Sequence, residues 1–211
     1  AAQVTGEDRK RAAQYATERR RRDTEQAFGS VDDYLKSLEM VGEVRELESP
    51  DDADMARVVQ LLGKTNQFNL TTRRHTQEQV CSMLAEPGAV GLTLRLNDKF
   101  GDHGLVSVVL AVPDEQDGLR IDTWLMSCRV IGRTAEHFML DALLTRARQA
   151  GYARVTGEYI PTKKNQLVAD LYDRLGFDRT SEEGGCVVYG LALEGAAKPT
   201  TWITAGEAVR G

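Results

Sequence analysis

Cysteine and histidine are both scarce. Three cysteines (Cys81, Cys128, Cys186) occur in 211 residues, an odd number at wide spacing, which suits neither a disulfide framework nor a zinc cluster. They point instead to a reducing cytoplasm. The three histidines (His75, His103, His137) have no partner four residues away, so no metal is expected. No apolar run approaches the ~20 residues that span a bilayer, and no apolar leader core opens the chain, so no membrane association is expected. Positive charge is also in short supply, with 27 Lys and Arg against 32 Asp and Glu and a net charge of -5. That balance argues against a general nucleic-acid binder. What is present, 41% apolar and 28% charged residues, is the composition of a globular α/β-sized domain with an extension.

The extension comes first. Between residues 7 and 25, Arg9, Lys10, Arg11 and Arg19 to Arg22 alternate with five acids, and Tyr15 is the largest apolar side chain. This reads as a solvated helix rather than a basic arm. Ser30 then caps a short helix with Val31, Tyr34, Leu35 and Leu38 on one face. From about Val44 the pattern switches between periods of two and 3.6. A strand at Val44–Leu47 leads to a helix start at Ser49-Pro50-Asp51-Asp52 with the stripe Met55, Val58, Val59, Leu62. A second helix follows the capping-box pattern Thr76/Gln79 and closes at Pro87-Gly88.

Three strands come next, around Leu92–Leu96, Leu105–Val112 and Leu119–Met126. In the last, Leu119, Ile121, Thr123 and Leu125 alternate with Arg120, Asp122, Trp124 and Met126. A helix carrying Leu140, Leu143, Leu144 and Ala147 ends at Gly151, and the strand Ala153–Ile160 follows. A further helix ends at Gly176, Cys186–Leu193 is a final strand, and residues 195–211 read as a loose tail. The order β-α-α-β-β-β-α-β-α-β predicts a mixed sheet with helices on both faces.

Two stretches carry chemistry. Arg129-Val130-Ile131-Gly132-Arg133-Thr134 joins a strand to a helix, whose N-terminal amides and flanking arginines suit a phosphate. Asn165, followed by Leu171-Tyr172-Asp173-Arg174-Leu175-Gly176-Phe177, places an amide and a phenol about two helical turns apart. In this order the two stretches resemble the GCN5-related N-acetyltransferase (GNAT) superfamily over roughly residues 43–193. The second motif is met in full, while the first meets Thr134 where the superfamily has Gly or Ala.

The resemblance implies a sheet in which the strand before the phosphate loop splays from its neighbour to admit a thioester's pantetheine arm. It implies that the backbone of Trp124, Leu125 and Met126, with Asn165, contacts that arm, and that Arg129, Val130, Gly132, Arg133 and Thr134 hold its phosphate. It implies that Tyr172 protonates the departing thiolate. The Thr134 departure favours a single-phosphate carrier arm over coenzyme A.

Three longer strings are similar to the C-terminal half of FkbH-like polyketide proteins: Lys64 to Arg74, Phe100 to Val106 and Ile121 to Arg129. Those proteins load a glyceryl group onto an acyl carrier protein and pair a HAD-type domain with a GNAT-like one. The likeness implies a carrier protein and a HAD-type domain as partners, a phosphopantetheine thioester or acyl-CoA as cofactor, and residues 1–42 as the linker after the HAD domain. No HAD motif is present, because Asp52-Ala53-Asp54 sits at a helix start.

Other candidates complete the expectation. Cys128, beside Arg129, suits a covalent acyl relay. Asp122, Glu158 or His103 suits a general base. Asn66, Asn69, Thr72 and Arg73 suit a phosphate or carboxylate of the substrate. A non-catalytic docking module and an acetyl-CoA-dependent N-acetyltransferase are the alternatives.

Overall fold

The computed structural model describes residues 6–27, 30–48 and 50–206. Helix α1 (Gly6–Ala27) and helix α2 (Val31–Ser37) precede β1 (Val41–Glu46), α3 (Met55–Lys64) and α4 (Gln77–Leu84). The meander β2 (Val90–Asp98), β3 (Gly101–Asp114) and β4 (Gly118–Met126) leads to α5 (Ala135–Gln149), β5 (Arg154–Tyr159) and α6 (Leu171–Arg174). The chain ends with β6 (Asp178–Glu183), β7 (Cys186–Ala192) and β8 (Thr204–Ala205). The eight strands form one sheet in the order β6-β7-β5-β4-β3-β2-β1-β8. Pairing is antiparallel except for β4 with β5 and β1 with β8.

Each face of the sheet buries its own core. Helices α2, α5 and α6 cover one face with Leu38, Met139, Leu140, Leu143, Leu171 and Tyr172 against strand residues such as Leu94 and Val109. Helices α3 and α4 cover the other with Met55, Val58, Leu62 and Val80 against Val108 and Leu110. The local signals act as their chemistry dictates. The Ser30 hydroxyl accepts the Asp33 N–H at 3.1 Å. Thr76 and Gln79 form the complete reciprocal capping box.

Several expectations are corrected. Helix α3 starts at Met55, because Asp52 takes the Asp54 N–H and turns the chain first. Ser49, Gly29 and residues 207–211 lie outside the described residues. The expected boundary at residue 42 cuts through the core, since Tyr34, Leu35, Leu38 and Met40 are buried in it. The tail is not loose as far as Gly206: Ile203 is buried, and β8 pairs with β1. Strand β6 carries no apolar alternation, and all six of its residues are exposed.

The detail that shapes the site is in β4. Its register against β3 slips at Leu110/Ala111, so Asp122 is an extra residue between the partners Ile121 and Thr123. The bulge flips the strand's alternation. Trp124 and Met126 therefore join Leu119 and Ile121 in the α5 core, while Leu125 turns to the α3 side. Strand β5 pairs with β4 only over Arg154–Gly157 opposite Gly118–Ile121. Beyond Ile121 and Gly157 the two strands part, and Glu158 and Tyr159 stay with β7.

Candidate functional site

The splay exists, and the chain itself fills it. The Leu70 N–H donates to the Trp124 carbonyl (3.1 Å) and the Met126 N–H donates to the Phe68 carbonyl (3.0 Å), so residues 68–70 form a short antiparallel addition to β4. From the other arm, the Ile160 N–H donates to the Leu70 carbonyl at 2.8 Å. The backbone row of Trp124 and Met126 expected to receive a pantetheine arm is thus occupied. The Leu125 carbonyl accepts the Ser107 hydroxyl instead.

Asn165 belongs to the same arrangement. Its Nδ2 donates to the carbonyls of Asn69 and Ile160, each at 3.0 Å, and its Oδ1 accepts the Thr162 N–H at 2.7 Å. The amide expected to hold a tether holds the filling loop. Tyr172 is sealed in aromatic core, with ring centroids 5.0 Å from Phe177, 5.3 Å from Tyr189 and 6.0 Å from Trp124. Its hydroxyl and the Trp124 indole N–H are buried without a partner. Burial, with the charge of Glu158, pushes the phenol pKa far above its ordinary value. The expected proton donor to a thiolate is, in this arrangement, a core residue.

The start of α5 also differs from expectation. Gly132 has φ +81° and open space where a Cβ would stand, as a phosphate loop requires. Thr134 adopts a left-handed conformation, and its hydroxyl is tied to Thr201 (2.9 Å) and to the Trp202 N–H (3.1 Å). Arg133 donates to the Tyr34 hydroxyl at 3.0 Å, and Val130 is buried. Arg129 remains exposed and donates to the Ser127 hydroxyl and the His103 carbonyl. His103, expected as a possible base, is joined to Asp98 at 3.0 Å in the β2–β3 hairpin.

Asp122 and Glu158, the first residues beyond the parting of the strands, meet in a charge cluster on the α3–α4 side. Arg73 spans them, donating to Asp122 at 3.0 Å and to Glu158 at 2.9 Å, and Arg120 reaches Glu158 at 2.7 Å. His75 Nε2 lies 2.7 Å from Asp122 Oδ1, which also accepts the Thr123 hydroxyl. Burial works to raise both carboxyl pKa values. The hydrogen bonds from His75 and Thr123 on Asp122, and from Arg73 and Arg120 on Glu158, more than offset it and hold both below the usual carboxylate range.

Asp122 is therefore fully engaged rather than a free base, and Arg73 is spent on the protein's own acids. Asn69 closes its own loop through the Thr65 carbonyl and the Thr72 N–H, and the Thr72 hydroxyl is buried. Sequence reasoning missed His75 and Arg120. Only the polar density of the 64–74 run and the inward alternation of β4 signalled this cluster.

An open space lies at the end of β4. A cleft of about 350 Å³ is lined by Arg57, Leu61 and Lys64 of α3, the turn Thr65–Phe68, and Met126, Ser127 and Cys128. Cys128 is exposed and unpaired. Of the expected site residues, the cleft brings together Asn66, Met126 and Cys128. Among the described residues no group of three or more His, Cys, Asp or Glu is placed to hold a metal, and no helix is long and apolar enough to cross a membrane.

No protein-family model and no curated protein matches the sequence. Solved structures do match in fold. The ribosomal-protein-S18-alanine N-acetyltransferase of Escherichia coli is 12% identical, with a TM-score of 0.53 over 72% of this chain and 94% of that one. A GNAT-family acetyltransferase of Streptococcus pneumoniae is 16% identical, with a TM-score of 0.53 over 73% and 99%. A putative acyl-CoA N-acyltransferase of Klebsiella pneumoniae is 16% identical, with a TM-score of 0.51 over 71% and 96%.

The chain has the fold of these GNAT acetyltransferases. Its own loop lies on the β4 edge within the splay, so the arrangement described does not fit a coenzyme A tether there. The cleft that holds Cys128 lies beyond it.

Proposed function

We propose that this domain takes part in acyl transfer on the phosphopantetheine arm of an acyl carrier protein, assisting glyceryl loading in polyketide biosynthesis beside a HAD-type partner. The observation that carries the reading is the exposed Cys128 thiol on the wall of an open cleft at the end of the splayed strand. A volume of about 350 Å³ lies in the range of small-ligand sites. The tied Thr134 and the filled splay both favour a single-phosphate arm meeting the cleft over a full coenzyme seated in the slot.

In this reading the Cys128 sulfur, having lost its proton, adds to the thioester carbonyl. A new C–S bond forms, the bond to the arm breaks, and the arm's thiolate takes up the proton. The acyl group rests on Cys128 until the same exchange passes it on.

Incubation with an acyl-carrier protein, followed by intact mass, tests this. The expected result is gain of one acyl group, absent in Cys128→Ser. The filled slot and the sealed Tyr172 favour a second reading, a docking module, which predicts carrier binding with no mass gain. Acetylation of amines from acetyl-CoA, unchanged in Cys128→Ser, would select a coenzyme A-dependent N-acetyltransferase instead.

A further inference from the structure

Acids outnumber bases in this chain, and most of the half-buried arginines sit against a carboxylate, as Arg73, Arg95 and Arg120 do. Three cations depart from that pattern: Arg57 and Lys64 line the Cys128 cleft, and Arg129 lines a second cleft shared with Glu18 and Asp102. Arg57 bonds to the Gln60 amide oxygen (2.5 Å), Arg129 bonds to a hydroxyl and a carbonyl, and Lys64 lines the cleft. None of the three has a carboxylate partner among the described residues. The wall of the Cys128 cleft contains no Asp or Glu. Burial, with the charge of Arg129 added, holds Arg57 below its ordinary pKa. The motif-based phosphate site at α5 has meanwhile lost two of its donors. Arg133 is turned onto Tyr34, and Thr134 is tied to the tail.

We propose that Arg57 and Lys64, on the wall of the Cys128 cleft and with the charge of Arg129 acting on Arg57, form the phosphate site of this domain, rather than the start of α5. Its ligand class is a phosphate ester that ends in a thiol or thioester. The guanidinium of Arg57 presents paired donors to phosphate oxygens and Lys64 acts as a point charge. The identity of the group beyond the phosphate rests on the acyl-transfer reading; the phosphate site does not.

Calorimetric titration with 4′-phosphopantetheine, with pantetheine lacking the phosphate, and with inorganic phosphate tests the proposal. The wild-type chain is expected to bind phosphopantetheine at least ten-fold more tightly than pantetheine. The advantage shrinks as salt rises from 50 to 200 mM, because the rim is exposed to ionic screening. The Arg57→Gln, Lys64→Gln double variant erases the advantage, and Arg133→Gln keeps it.

Both changes lie on partly exposed positions, and unchanged melting of the double variant confirms its fold. Equal affinity for the two compounds in the wild type overturns the site. So does an advantage that survives the double variant or vanishes in Arg133→Gln. Phosphate-dependent binding without acyl gain at Cys128 leaves the site standing and removes the acyl-transfer reading. Undiminished transfer in the double variant does the reverse.

Discussion

Gly157→Ala is the sharpest test of the packing at the parting of β4 and β5. A Cβ built on Gly157 would stand 2.3 Å from Tyr172 Cζ, 2.5 Å from Cε1 and 2.7 Å from the hydroxyl. Carbon atoms rest at about 3.5–4.0 Å, so the ring has to retreat by more than ~1 Å. It has nowhere to go, because Phe177, Tyr189 and Trp124 surround it and it is 1% exposed. Nor does the backbone yield easily, since Gly157 is paired with Ile121 on one side and Tyr189 on the other. Overpacking costs about 1–3 kcal/mol, and disturbed ring contacts add about 1 kcal/mol.

The expected loss is therefore about 2–4 kcal/mol, or a fall in Tm of roughly 5–15 °C for a chain of this size. Urea denaturation with an unchanged slope measures it. Tyr172→Phe, which removes a buried hydroxyl without a partner, is expected to be near neutral in stability and without effect on acyl exchange. Tyr172→Leu removes the offending ring and rescues part of the Gly157→Ala loss, with a coupling above ~1 kcal/mol. A Gly157→Ala chain within ~0.5 kcal/mol of wild type, or a double variant with simply additive losses, would refute this packing.

Two further outcomes follow from the same structure. Arg73→Leu leaves Asp122 and Glu158 with Arg120 as the one arginine that reaches both, and a loss of about 2–3 kcal/mol is expected at pH 7. Both carboxyls have folded pKa values below their unfolded ones near ~4, so their stabilisation is complete above ~4 and fades as pH falls through the folded values. The wild-type advantage measured in urea should accordingly shrink by pH ~2, and an advantage independent of pH would contradict the charge cluster. Ending the chain after Lys198 removes the buried Ile203 and the bonds from Thr204 N–H to the Met40 carbonyl and from Gly206 N–H to the Gly42 carbonyl. A loss of about 3 kcal/mol or more is expected. An unchanged melt would show that β8 contributes nothing.

Much of the architecture was legible because burial wrote it into periodicity. The stripe Met55, Val58, Leu62, the cap at Ser30, the capping box at Thr76 and the run Leu105–Val112 all appear where local chemistry places them. Strand β6 was invisible because it is an exposed edge that buries nothing, and β8 because two residues carry no period.

The site was less legible for a specific reason. One extra residue at Asp122 inverts β4, so the alternation read from sequence put Trp124 and Met126 on the wrong side. The polarity of Thr71 and Arg73 was visible. Its partners were not, since they lie 49 to 85 residues away in the chain. Such side chains read as ligand-binding when they in fact satisfy a loop's own buried backbone. Cys128 stood out because a thiol at a strand end beside an arginine is uncommon, and the structure leaves it exposed.

The join between β4 and β5 spans four residue pairs, the shortest seam between long strands of the sheet. Left alone, it would be the crease along which the β6-β7-β5 flap folds away from the rest. Leu70, Met126 and Ile160 carry the amides that stitch that crease shut, and Arg73 rivets it from the far side. The fourteen-residue stretch from β3 and the short flap are thereby made to open and close as one body, so the amide hydrogens of these three residues are expected to exchange with solvent as slowly as those of the innermost strands.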